Sequence, residues 1–343
     1  MKIALLNLPY DNNYGGNLQR YALMKVFQDM GHEVTHIKWC KYYHKPWYKM
    51  PLVLIYRLIK YNIHCRKEIL FYEYYATKKY NHDCKTTDVF YERYIKHSES
   101  VYTKDELEAA LGGFDAYVVG SDQVWRKKYT EGWLPLMMMS FADQLTNVKR
   151  LAYAVSFGNN EKELAPSEQK DLAKLYSLFD GVSVREDSAL DLLCEYGWTT
   201  PSAIHVLDPT LLLTAKDYVE LIEKAETNPL KSPLFCYILD PDKEKEAFIE
   251  KTSIQMGIVP FKVLLEEGSR PSIEQWLRYF RDADYIITDS YHGYVFSKIF
   301  NKPCHLFQNA KRGNTRFESL HRIENKIDEM RITSLRFIED SLK

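Results

Sequence analysis

The stretch that most constrains the fold is Tyr285–Pro303, YIITDSYHGYVFSKIFNKP. A short apolar, β-branched run at Tyr285–Thr288 predicts a strand buried on both faces, as parallel sheets require. It breaks at Asp289-Ser290-Tyr291-His292-Gly293, and the amphipathic run Tyr294–Phe300 predicts a helix. Asn301-Lys302-Pro303 ends that helix, because proline disfavours the helical conformation in the residue before it. A histidine therefore stands where a strand gives way to a helix. In an open α/β sheet that position faces the ligand crevice, with helix N–H groups beside it. Position alone leaves two readings open: a histidine that does chemistry, and one packed beside a helix cap.

The same alternation runs along the chain. Strands are predicted at Ile3–Leu8, Glu33–Trp39, Phe114–Gly120, Leu151–Gly158, Gly181–Arg185 and Ala203–Leu207, with a helix at Leu18–Met30 closed by Gly31. A second series follows, with strands at Leu234–Leu239, Val259–Leu264, Tyr285–Thr288 and Cys304–Phe307 and helices at Lys243–Met256 and Ile273–Arg281. At 343 residues the chain exceeds one ordinary core. The expected architecture is α/β, two Rossmann-like domains facing across a cleft. They divide as 1–210 and 211–343, with the linker at Pro209–Lys216 and terminal helices in the second.

Lys41 to Lys85 differs in composition, with many tyrosines among lysines and arginines. Within it, Leu52–Tyr75 predicts one or two amphipathic helices with a basic, aromatic face. Such a face suits an anionic membrane surface or sugar stacking, and equally a helical insertion packed on the first domain with its lysines in water.

A formal charge of −1 gives no electrostatic case for nucleic acid. The six cysteines are scattered, without a CxxC pair, and read as reduced thiols. The ten histidines show no metal-ligand spacing, so no metal is expected. The apolar run near the start is too short for a signal peptide, and no stretch approaches the ~20 apolar residues of a membrane span. The expected setting is the cytoplasm, with peripheral contact to the inner face of the membrane.

Candidate site residues collect at strand ends: Gly15, Gly16 and Asn17; Ser121 and Asp122; Ser156; Arg185; Asp208; Asp289, Ser290, His292 and Gly293; Arg312, Asn314 and Arg316. Gly15-Gly16 predicts a tight turn that lets backbone approach a ligand. One histidine, several carboxylates and several arginines suit a transferase acting on a small anionic donor by acid–base chemistry.

At these same residues the chain resembles the polysaccharide pyruvyl transferase family. The matching pieces are YGGNLQRYAL (Tyr14–Leu23), GSDQVW (Gly120–Trp125), YAVSFG (Tyr153–Gly158), SVRE (Ser183–Glu186), DPTLLL (Asp208–Leu213), TDSYHGYVFSKIFNKP (Thr288–Pro303) and RGNTRFESL (Arg312–Leu320). The resemblance implies a GT-B-like fold and transfer of the pyruvyl group of phosphoenolpyruvate to a sugar, as a cyclic ketal, with release of phosphate. The acceptor would be a surface polysaccharide or its lipid-linked precursor, and phosphoenolpyruvate would be co-substrate, with no cofactor. His292 would be the general acid or base. Arg185, Arg312 and Arg316, with Asn314, Ser290 and Gly293, would hold the donor. Asp122 would orient the acceptor or serve as a second acid–base group. Gly15, Gly16, Asn17, Ser121, Ser156 and Asp208 would form the acceptor side and its loops. Some members carry arginine two residues before the histidine, where this chain has Ser290; Arg316 is the candidate replacement. Two other readings remain at this stage: a GT-B glycosyltransferase using a nucleotide sugar, and a non-catalytic glycan-binding subunit.

Overall fold

The computed structural model describes residues 1–41, 49–64, 70–130, 132–263, 270–308 and 315–343. Two wholly parallel sheets organise it. The first has six strands in the order β2-β1-β3-β4-β5-β6: β1 Lys2–Leu6, β2 Glu33–His36, β3 Ala116–Val119, β4 Lys149–Val155, β5 Gly181–Val184 and β6 Ala203–His205. The second has four in the order β10-β9-β7-β8: β7 Leu234–Tyr237, β8 Phe261–Lys262, β9 Tyr285–Thr288 and β10 Cys304–Leu306. Each strand lies at a predicted apolar run. All four residues of β3, AYVV, are buried, which is why that run is continuous rather than alternating.

Two helices depart from expectation. The first runs Tyr14–Asp29, so Gly15, Gly16 and Asn17 form its opening turn instead of a loop before it. The cause is Asn13, an extended N-cap whose side chain accepts from the Gly16 amide at 3.2 Å. In the insertion the helices are Met50–His64 and Tyr72–Tyr94; the second runs far past Tyr75. It buries Cys84, Thr87, Phe90 and Tyr91 against the first domain at helical spacing, and the Tyr80 hydroxyl donates to the Tyr10 carbonyl at 2.8 Å.

The chain crosses between the sheets twice. Asp208 caps a short 3-10 turn, Pro209–Leu211, that leads out of β6. The C-terminal helix Ile327–Leu342 then returns to the first sheet, whereas the sequence-based division placed it with the second. Its contacts explain the return: Ile338 and Leu342 join the main core, and Ser334 Oγ accepts from the Leu207 amide at 3.0 Å. Ser341 lies so near Gly181 that a Cβ there would fall 2.3 Å from its hydroxyl.

Candidate active site

The C-terminal ends of both sheets converge. From the second sheet, β9 ends at Asp289, whose buried carboxylate accepts from the amides of Leu239 (2.6 Å) and Asp240 (3.1 Å) and from Lys245 Nζ (2.9 Å). That clamp fixes the turn that carries the histidine. Ser290 is the N-cap of helix Tyr291–Ile299 and accepts from the Gly293 amide at 3.3 Å. Gly293 is glycine for packing, since a Cβ there would lie 2.4 Å from Thr288 Oγ1. Its N–H, expected to serve a ligand, is taken by Ser290. The end amides left by the cap belong to Tyr291 and His292.

Across the cleft stands the opening turn of the first helix. The two domains meet where a Cβ on Gly15 would be 1.9 Å from His292 Nδ1. Gly15 thus admits the histidine ring, not a ligand. Gly16 lines the cavity beyond it. Tyr14 braces the same junction by donating its hydroxyl to the Pro271 carbonyl at 2.7 Å. Asn17 locks the turn, donating to the carbonyls of Asp11 and Asn13 and accepting from Arg20.

His292 is 8% exposed, and its Nε2 has no hydrogen-bond partner among the described residues. The nearest carboxylate is Asp208, 3.9 Å from Nε2. Burial pushes the imidazole down to about 4, against the pull of Asp208 and Asp122 and with help from Arg185 and Arg316. The ring is therefore neutral at pH 7.

Arg185, at the tip of β5, is 3% exposed and ringed by carboxylates. It bonds Asp122 at 3.0 Å and Asp208 at 3.2 Å, and Glu186 lies 3.7 Å from its Nε. Burial alone would weaken its charge, but Asp122, Tyr291, Asp208 and Glu186 hold it above its ordinary range. An arginine so committed organises the site, where the expectation had it gripping the donor. Asp208 also accepts from Gln19 at 2.6 Å and from the Thr210 amide and hydroxyl; burial resists its charge, yet His292 and Arg185 leave it below the usual carboxylate range. Asp122 sits at φ 71°. Burial would raise its pKa, but Arg185, Arg316 and His292 bring it down to about 2. A carboxylate that acidic orients hydroxyls and is a poor proton carrier.

Arg316 lies 3.9 Å from Asp122, and both it and Arg185 approach the Tyr291 ring, at 5.3 and 5.2 Å. Burial and the neighbouring Arg185 lower its pKa, against the pull of Asp122, Glu186 and Tyr291. Ser156 is a positioning residue: its hydroxyl donates to Glu186 at 2.6 Å and accepts from the Gly158 amide. Ser121 is fully buried beside Asp122, its hydroxyl unpartnered among the described residues. Arg312 and Asn314 lie outside the described residues.

These groups enclose a cavity of about 330 Å³. Its lining includes His292, Ser290, Tyr291 and Arg316 together with Gly16, Arg20, Lys41 and Asp122. Gln19, Arg20 and Tyr291 were not on the predicted site; Arg20 follows Gly16 by four residues on one helix, a spacing that places both on the same face. Among the described residues no group of three His, Cys, Asp or Glu is placed to hold a metal ion.

Two outcomes follow from this geometry. Gly15→Ala drives a methyl into the His292 ring and should cost about 1–3 kcal/mol. Gly16→Ala meets its nearest neighbour only at 3.5 Å and should be neutral or stabilising by up to about 1 kcal/mol. Denaturant unfolding of the pair checks the contrast; equal effects would contradict the placement of His292. The second concerns pH. Below about 6.5 the unfolded chain protonates His292 while the fold resists until about 4, so stability is complete above pH 6.5 and drains as pH falls toward 4. The loss amounts to about 3 kcal/mol. His292→Gln should flatten that part of the stability–pH curve, and an unchanged curve would refute the buried neutral imidazole.

Comparison with known proteins agrees with this layout. A family model described as polysaccharide pyruvyl transferase matches residues 13–311. No curated protein matches the sequence. Among solved structures, UDP-GlcNAc 2-epimerase from Neisseria meningitidis, bound to UDP-GlcNAc, superposes with a TM-score of 0.55 at 8% identity, over 100% of this chain and 99% of that one. UDP-GlcNAc 2-epimerase from Methanocaldococcus jannaschii gives 0.51 at 10% identity, over 98% and 92%. At such identities the likeness concerns the fold, which is GT-B-like. With the family match spanning most of its length, the chain belongs to the polysaccharide pyruvyl transferase family.

Proposed function

We propose that the protein transfers the pyruvyl group of phosphoenolpyruvate to two hydroxyls of one sugar in a surface polysaccharide or its lipid-linked precursor. The observation that carries this reading is His292, buried, uncharged and unpartnered at Nε2, beside a cavity lined by Arg20, Lys41 and Arg316. A neutral histidine beside a basic cavity is poised to take up a proton when an anion binds there. The carboxylate and phosphate of the donor lie against Arg316, Arg20 and Lys41 and the amides that open helix Tyr291–Ile299. Their negative charge raises the His292 pKa, so the donor and a proton bind together.

His292 then gives that proton to the methylene carbon, making the methyl group and an oxocarbenium-like carbon. The first hydroxyl adds there, and its proton returns to His292. The carbon–oxygen bond to phosphate breaks, the second hydroxyl closes the ring, and its proton leaves with the phosphate. Asp122, ionised throughout, aligns the hydroxyl pair, and Asp208 steadies the imidazolium.

Release of phosphate from phosphoenolpyruvate, dependent on lipid-linked or nitrophenyl sugars, is the expected activity, and Arg316→Ala is expected to raise the donor KM by about tenfold or more. A glycoside and free nucleotide produced from a nucleotide sugar would assign the site to glycosyl transfer instead. Glycan binding with no turnover, unchanged by His292→Ala, would assign it to recognition alone.

A further inference from the structure

We propose that helix Met50–His64 docks in the plane of an anionic phospholipid bilayer and holds the cleft at its surface. Leu52, Ile55, Tyr56, Ile59 and Ile63 recur at spacings of three and four, which is one stripe of a helix. All five are 56–74% exposed, and Leu58, 52% exposed, widens the stripe. A contiguous apolar face of this size in water marks a surface that something covers. On the opposite side Arg57 is held bidentately by Glu73, at 2.5 and 2.6 Å, which fastens the helix to Tyr72–Tyr94 with the stripe outward.

Charge selects the occupant. From Lys38 to Lys67 the sequence has eight lysines and arginines and no aspartate or glutamate. Of these, Lys60 flanks the stripe beside Tyr56, so two copies packed stripe to stripe would bring like charges together, whereas an anionic headgroup layer attracts them. Lys60 runs alongside Tyr56, its Nζ 5.0 Å from the ring, an arrangement that lets the ammonium reach headgroups while its stem stays with the apolar stripe. Trp47 and Tyr48, just ahead of the helix in sequence, are residue types that favour the membrane interface. At 15 residues the helix is too short to span, and no helix among the described residues is long and apolar enough to do so. It lies flat.

The helix meets a path to the site on its inner side, where Arg57 lies 5.7 Å from the Tyr72 ring. A groove of about 420 Å³ along Tyr72, Tyr75 and Tyr80 includes Asp11 and Lys41, which also line the His292 cavity. An acceptor carried in the bilayer would reach His292 along it. Docking itself does not depend on which reaction the site performs.

The test is sedimentation of the full chain with phosphatidylcholine vesicles, with and without phosphatidylglycerol. Binding is expected only with phosphatidylglycerol and should weaken as salt rises. The triple variant Leu52→Ser/Ile55→Ser/Ile59→Ser should bind at least about tenfold more weakly, and Lys60→Gln roughly fivefold more weakly at low salt. Because these side chains are exposed, the variants should melt as the parent does, which circular dichroism verifies. Absence of vesicle binding, equal binding by the triple variant, or equal binding to neutral vesicles would overturn the proposal. So would a concentration-dependent dimer that the same triple variant disperses, since the stripe would then belong to a second copy.

Discussion

His292→Gln should lower the rate of phosphate release from phosphoenolpyruvate by about 10²–10⁴-fold, the usual worth of a positioned acid–base group. Glutamine keeps much of the ring's volume and can still fill the space that Gly15 leaves, so the fold and the contact between domains should survive. The loss belongs in kcat, because the groups assigned to the donor, Arg316, Arg20 and Lys41, remain in place. The wild-type donor affinity should strengthen as pH falls from neutrality, since binding draws a proton onto an imidazole that otherwise holds one only near pH 4. In the glutamine variant that dependence should vanish. Turnover within about threefold of wild type would remove His292 from the proton path.

Arg185→Met should cost about 3–5 kcal/mol of stability, the penalty for stripping the partner from buried charges. Methionine matches much of the arginine's length, so the volume change is small. What changes is electrostatic: Asp122, Asp208 and Glu186, all within 4 Å of the guanidinium, lose their shared cation. Asp122 should titrate far above its present value of about 2, still with Arg316 nearby. Adding Asp122→Asn and Asp208→Asn to the variant should restore part of the loss, because each removes a charge left unpaired. Denaturant unfolding measures both steps. A loss below about 1 kcal/mol would show that Arg185 is not the centre of this cluster.

Much of this site could be read from local pattern. Each of the ten strands among the described residues falls within an apolar run of the sequence, and the corners after β3, β4, β5, β6 and β9 carry Asp122, Ser156, Arg185, Asp208 and His292. His292 was locatable because a strand, a cap and a helix follow one another within a few residues. What stayed hidden depended on distance in the chain. Nothing beside Gly15 announces that its missing side chain makes room for an imidazole from the other domain. Glu186 follows Arg185 directly, but nothing near it tells that Asp122 and Asp208 also share its charge, so the sequence leaves a salt-bridge partner and an anion binder both open at this strand tip. The Gly-Gly pair predicts a turn because glycine favours turns in general; the Asn13 cap, two residues before it, draws it into the helix. The C-terminal helix shows an amphipathic pattern, but such a pattern states only that one face is covered and not which sheet covers it.

That last helix sets an order on assembly during synthesis. The first sheet is complete in sequence by His205, yet Ile327–Leu342 supplies Ile338 and Leu342 to its core and a hydroxyl to the Leu207 amide. A nascent chain that has emerged as far as the second sheet therefore carries a first domain with a strip of uncovered apolar surface. Domains commonly fold one after another as they leave the ribosome. Here the first to emerge must wait for Ile327–Leu342, which is translated after the whole second sheet, and the two halves reach their final packing together.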